Sequence, residues 1–159
     1  YDAGISYIRN VLEATRTLQK NPDDLDARGI IMMGASLSTS SRLGIGKEES
    51  FAYEIYELEF LPEKLFGSSY RKSLTSVFPR FLRVMGKYHA EDIRKYYLDA
   101  FDFNSSIEES SRKLIELFAG LGVEMYYDGK ITHEQVDSIP CNTELDGNEI
   151  FEMINALVR

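Results

Sequence analysis

The run Tyr70-Arg71-Lys72-Ser73-Leu74-Thr75-Ser76-Val77-Phe78-Pro79-Arg80-Phe81-Leu82-Arg83-Val84-Met85 decides the fold class. Leu74, Val77, Phe78, Phe81, Leu82 and Met85 recur at helical spacings, which gathers them on one face of an α-helix and would scatter them over both faces of a strand. Pro79 predicts a kink, because it lacks a backbone donor and its ring crowds the preceding turn. Gly86 predicts the end of the helix.

The same grammar extends in both directions. Upstream, Ile5, Ile8, Leu12 and Leu18 mark a first helix. Asn21 reads as the cap of a second, with Pro22 at its first position and Asp23 and Asp24 near the positive end of its dipole. That helix is expected to run to about Arg42, with Gly44 and Gly46 beyond its end. A third should start near Glu48, turn Phe51, Ile55 and Leu58 inward, and stop or kink at Pro62. Downstream, Ile93, Tyr96 and Tyr97 mark another helix.

Ser105-x-x-Glu108 and Thr132-x-x-Gln135 both fit the capping box, and Asp146-x-x-Glu149 is a weaker relative. The helix after Ser105 should bury Leu114, Ile115, Phe118 and Leu121, and the last should bury Ile150, Ile154, Leu157 and Val158. Almost nothing alternates as a strand would. The expectation is an all-α, multi-helix bundle, residues 1–159 forming a single helical domain.

Composition narrows the function classes. With 43% hydrophobic residues, the 159-residue chain can bury a sizeable core. A net charge of −8 repels phosphate backbones and anionic lipid, so neither nucleic acid nor a membrane surface is an expected partner. Cys141 stands alone, which excludes an internal disulfide framework; it is expected as a buried small hydrophobe in a reducing compartment. No apolar run reaches the ~18 residues of a spanning helix, no leader pattern opens the chain, and a cytoplasmic location is expected. Tyr1 enters directly into a helical pattern, as in a piece of a longer protein.

The motifs with chemical potential are weak. Gly44-Ile45-Gly46-Lys47 looks like the end of a phosphate-binding loop, but Ser41 stands where the leading glycine belongs and a helix precedes it instead of a strand. Asp128-Gly129-Lys130-Ile131 looks like part of a calcium loop, yet Gln135 holds the position of the bidentate glutamate, and Glu124 and Tyr126 hold the earlier ones. His89 and His133 sit beside predicted helix starts among polar neighbours, and solvated or capping roles fit them better than a metal site. Glu48, Glu49, Glu54, Glu57, Glu59 and Glu63 read as a solvated face, with Glu54 singled out because Phe51, Ile55 and Leu58 surround it. Tyr53, Tyr56, Tyr70, Tyr96, Tyr97, Tyr126 and Tyr127 are expected to bury their rings with the hydroxyl wet or bonded. No nucleophile, histidine and carboxylate can be nominated as a set.

Four segments resemble the C-terminal helical domain of the iron-containing alcohol dehydrogenase family. They are the ungapped run from Ile8 to Phe60 with its Pro22-Asp23-Asp24-Leu25-Asp26-Ala27-Arg28 signature, the stretch Ser73 to Pro79, Ile107 to Val123 with its Phe118-Ala119-Gly120-Leu121-Gly122-Val123 ending, and Ile150 to Leu157. The resemblance implies an NAD(P)-dependent oxidoreductase of two domains: an N-terminal dinucleotide-binding domain, missing from this chain, and a helical domain. A divalent metal, iron or zinc, is held in the family by one Asp and three His.

The Asp and first His would precede Tyr1. In the register that best aligns Gly44 to Phe60, a ligand histidine falls on Glu54, a further active-site histidine on Leu58 and the last ligand on Tyr70. A register anchored on Gly67 and Pro79 moves the first two to Tyr56 and Phe60. No histidine stands at any of these positions, and only Glu54 could ligate a cation. The expectation is therefore an alcohol dehydrogenase-like helical domain without an intact metal site and without catalytic or cofactor-binding residues of its own. The alternative is a catalytically silent module for packing, homo-oligomerisation or small-molecule binding.

Overall fold

The computed structural model describes residues 1–39 and 54–159. Among them the chain forms α1 (Asp2–Lys20), α2 (Leu25–Thr39), α3 (Ile55–Leu58), α4 (Phe60–Phe66), α5 (Tyr70–Met85), α6 (Ala90–Phe101), α7 (Ile107–Gly120), α8 (His133–Asp137) and α9 (Gly147–Asn155). No strand occurs among the described residues, and the all-α expectation holds. An isolated parallel bridge joins Tyr127 to Val158, where the Tyr127 N–H donates to the Leu157 carbonyl at 2.8 Å and the Arg159 N–H to the Tyr127 carbonyl at 3.1 Å. The described residues gather into two compact units, the first comprising 1–39 with Lys95–Asn104 and the second 54–94 with Ser105–Arg159.

In the first unit α1 packs on α2. Gly34 allows the approach, since a Cβ there would meet Val11 Cγ2 at 2.8 Å and the Tyr7 ring at 3.2 Å. Asn21 ends α1 instead of starting α2, and Asp24 does the capping, its Oδ1 accepting from the Ala27 N–H at 2.9 Å. The error is one of register: Pro22 and Asp23 form a turn, and the acidic cap lies three residues further on. Arg9 ties α1 to the end of α6 through the Asp99 carbonyl at 2.6 Å and the Asp102 carboxylate at 2.8 Å. Tyr97, Phe101 and Phe103 pack ring against ring beside them, with Tyr97 buried.

In the second unit α5 is central, packing against α3, α4, α7 and α9. Of its predicted apolar face, Val77, Phe81, Leu82 and Met85 are buried, while Leu74 and Phe78 are half-buried. A Cβ on Gly86 would lie 2.9 Å from the Ile107 side chain, so this glycine serves close packing; its φ of −59° is ordinary helical backbone. Pro79 sits inside the uninterrupted α5, and Ser111 of α7 donates to the Pro79 carbonyl at 2.7 Å.

Pro62 acts differently from a simple stop. It lies in the first turn of α4, where a missing N–H loses nothing, and it cannot donate to the Leu58 carbonyl four residues back. The helical path breaks between α3 and α4 at Glu59 accordingly. Starts of α7, α8 and α9 follow capping chemistry. The α7 cap is Ser106, one residue later than expected, while Thr132 with Gln135 and Asp146 with Glu149 make complete capping boxes. The expected end of α2 near Arg42 and start of α3 near Glu48 fall outside the described residues.

Candidate functional site

The positions that the family resemblance singles out do different work from one another. Glu54 caps α3 by position, and its Oε2 accepts from the Thr143 hydroxyl and from the Glu144 N–H at 3.0 Å. Its carboxylate thereby fixes the loop ahead of α9. Leu58 is 0% exposed, a core side chain contributing roughly 2 kcal/mol of apolar burial. Tyr70 opens α5 and is 53% exposed. Of the alternative register, Tyr56 and Phe60 are both half exposed. A leucine offers no lone pair, a neutral phenol is a poor donor to iron or zinc, and the Glu54 carboxylate is already engaged, so this set does not fit the family's metal. Among the described residues no three His, Cys, Asp or Glu side chains gather around a common point.

Glu59, read from the sequence as part of a solvated face, is 2% exposed, and its Oε2 has no hydrogen-bond partner. Burial, with the Glu63 carboxylate nearby, pushes its carboxyl up from 4.5 to about 7. Burial also raises the Tyr70 phenol, helped by Glu59, Tyr56 and Glu63. The signal was in the sequence: Ile55 four residues before and Pro62 three after put Glu59 on the inward face of the broken helix. Of the other members, Glu54 and Glu63 are half-buried and Glu57 is exposed, while Glu48 and Glu49 lie outside the described residues.

Glu149 is a second buried carboxylate with the opposite surroundings. Lys87 Nζ donates to its Oε1 at 2.9 Å, the Tyr88 hydroxyl reaches the carboxylate at 3.0 Å, and the Asp146 N–H donates to Oε2 at 3.2 Å. Burial pushes its pKa up, but these donors together outweigh burial and hold it below the ordinary 4.5.

Arg80 is the buried cation, 2% exposed on the inward side of α5. Its Nε donates to the Ala156 carbonyl at 3.0 Å and its Nη1 to the Ser76 carbonyl at 2.7 Å, so it ties α5 to the end of α9. The guanidinium carbon lies 4.9 Å from the centre of the Tyr126 ring, which Arg159 also covers at 3.6 Å. Desolvation lowers its pKa to about 10, leaving it charged at neutral pH. Sequence reasoning missed it, although Ser76 and Val77 before it and Val84 after it lie on the same face.

The remaining motifs carry no assembled chemistry. The His133 ring stacks on Phe151 at 3.6 Å, and His89 is half-buried at the end of the turn after α5. Cys141 is half-buried, with its thiol directed at the Glu57 and Ile139 carbonyls, and burial followed by Glu57 raises its pKa. Asp128, Gly129 and Lys130 are exposed, with Gly129 at a φ of 131°. Tyr127 alone of the adjacent tyrosines is fully buried, its hydroxyl shared between Ser68 at 2.8 Å and Ser76 at 3.2 Å. Gly44 to Lys47 lie outside the described residues. No helix among the described residues is long and apolar enough to cross a membrane. In comparisons with known proteins, the chain matches no family model, no curated protein and no solved structure.

Proposed function

We propose that this chain is the helical, substrate-side domain of an iron-containing alcohol dehydrogenase-like protein, retained as a packing and binding module without the metal centre. The four segments beginning at Ile8, Ser73, Ile107 and Ile150 support the family reading. The observation that carries the loss of chemistry is Leu58: at the position where the resemblance expects a reactive histidine, an aliphatic side chain is sealed in the core at 0% exposure. Glu54 points the same way, because the loop at Thr143 and Glu144 already uses its carboxylate.

On this reading the partner is a dinucleotide-binding α/β domain, in a cytoplasmic protein, with homo-oligomerisation through helical surfaces as a further use. NAD(P) would belong to that other domain, and no residue of this chain is assigned to it. Any turnover would involve a small alcohol, aldehyde or ketone, by family implication alone. Elemental analysis of the full-length protein, purified without added metal beside its Glu54→Ala variant, is expected to find neither iron nor zinc at stoichiometric level in either. Stoichiometric metal that disappears in Glu54→Ala would replace this reading with a remodelled carboxylate site.

A further inference from the structure

We propose that the cleft at Arg80 binds a small monocarboxylate with an apolar body, its carboxylate on the Arg80 guanidinium and its body against Tyr126 and Ile115. The cleft has a volume of about 400 Å³ and is formed by α5, α7, Tyr126 and the residue following α9. Arg80 contributes a buried group, charged at neutral pH, to its wall.

What distinguishes Arg80 from every other cation around the cleft is its company. Arg83 is paired with Glu108 at 3.5 Å, and Arg112 is shared by Glu109 and Glu116 at 2.5 Å each. Arg80 has two backbone carbonyls, the Tyr126 ring face and a hydrogen bond with the Tyr126 side chain, and no carboxylate among the described residues pairs with it. A guanidinium carries five N–H donors, and its planar fork matches the two oxygens of one carboxylate. With two donors committed to carbonyls and one to Tyr126, two of the five remain for an anion in the cleft. Among the described residues the rim carboxylates are taken up by Arg83 and Arg112, which leaves Arg80 as the cleft arginine without a direct ion pair and open to a ligand's carboxylate.

The rim determines which anion. Glu108, Glu109 and Glu116 place as many negative charges around the cleft as Arg80, Arg83 and Arg112 place positive ones. A phosphate dianion would meet that acidic rim twice over, whereas a monocarboxylate brings a single charge beside Arg80. Ile115 and the Tyr126 ring supply the apolar wall that a simple acetate would leave unused.

Benzoate and inorganic phosphate are the probes, titrated calorimetrically into the full chain at pH 7. Saturable benzoate binding is expected, with phosphate at least tenfold weaker. Arg80→Gln should abolish benzoate binding; because that variant also removes bonds to the Ala156 and Ser76 carbonyls, Ile115→Trp serves beside it, filling the cleft while leaving Arg80 in place. Loss of binding in a folded Ile115→Trp protein, checked by its circular dichroism, supports the site. Absence of saturable benzoate binding in the wild type, binding that survives Ile115→Trp undiminished, or phosphate binding as tight as benzoate would each overturn it.

Discussion

The junction of α3 with α4 and the junction of α5 with α9 both bury a carboxyl, and they treat it in opposite ways. Glu149 receives an ammonium, a phenol and a backbone N–H, and stays ionised. Glu59 has an oxygen with no partner, and its carboxyl rises to about 7. The difference teaches that a buried carboxylate is held by the donors its neighbouring elements deliver, and that among the described residues the α3–α4 junction delivers none to Glu59 Oε2. This is the stretch to which the family resemblance assigns metal ligands. A bound cation there would stabilise an ionised Glu59; the surroundings favour its protonated form.

The most damaging way to press the comparison is Leu58→His, which adds a second polar group to the region without donors. The lost packing and an unpartnered imidazole are expected to cost roughly 3–5 kcal/mol, read as a fall in the urea midpoint with an unchanged slope. A cost below about 1 kcal/mol would mean that the junction can supply a partner after all.

Next in size is the pH dependence, where the two carboxyls should act with opposite signs. Glu59 ionises near 4.5 when unfolded and near 7 when folded, so its contribution is fully present below 4.5 and is lost as pH rises to 7. The loss should approach about 3 kcal/mol, and Glu59→Gln should flatten that window. Glu149 is held below 4.5, so its contribution is present above that value and is lost as pH falls through the folded pKa. Urea unfolding from pH 3 to pH 8 resolves both limbs.

A smaller effect sharpens the contrast from the other side. Glu149→Gln removes the charge that Lys87 and Tyr88 share and weakens the capping box with Asp146, and should cost about 1–2 kcal/mol at pH 7. It should also reduce the acid-side loss of stability, the rest coming from Asp99, Glu109 and Glu124, whose pKa values are lowered as well. Tyr88→Phe, which takes away one donor to the same carboxylate, should do less.

Helical periodicity made α1, α5, α6, α7 and α9 legible, because their apolar residues recur at a period that only a helix can use. The caps were legible to within a few residues: Thr132 and Asp146 were located, whereas Asn21 and Ser105 each lost the role to a nearby residue with the same chemistry, Asp24 and Ser106. Which polar groups would be buried was not legible. Glu59, Arg80 and Glu149 owe their surroundings to elements far away in sequence, such as Lys87 for Glu149 and the Ala156 carbonyl for Arg80. The reverse error occurs at Tyr56 and Tyr70, whose rings were expected to be buried but are 50% and 53% exposed. Composition sets what can be buried, and the neighbours decide what is.

The central proposal is that this helical domain descends from a metal-dependent dehydrogenase domain and has exchanged metal chemistry for packing at Leu58. Its most direct test is alcohol-dependent reduction of NAD and NADP by the full-length protein, assayed with iron(II) or zinc(II) added in excess. The account predicts no turnover above the metal-only background, and turnover that depends on added metal would contradict it.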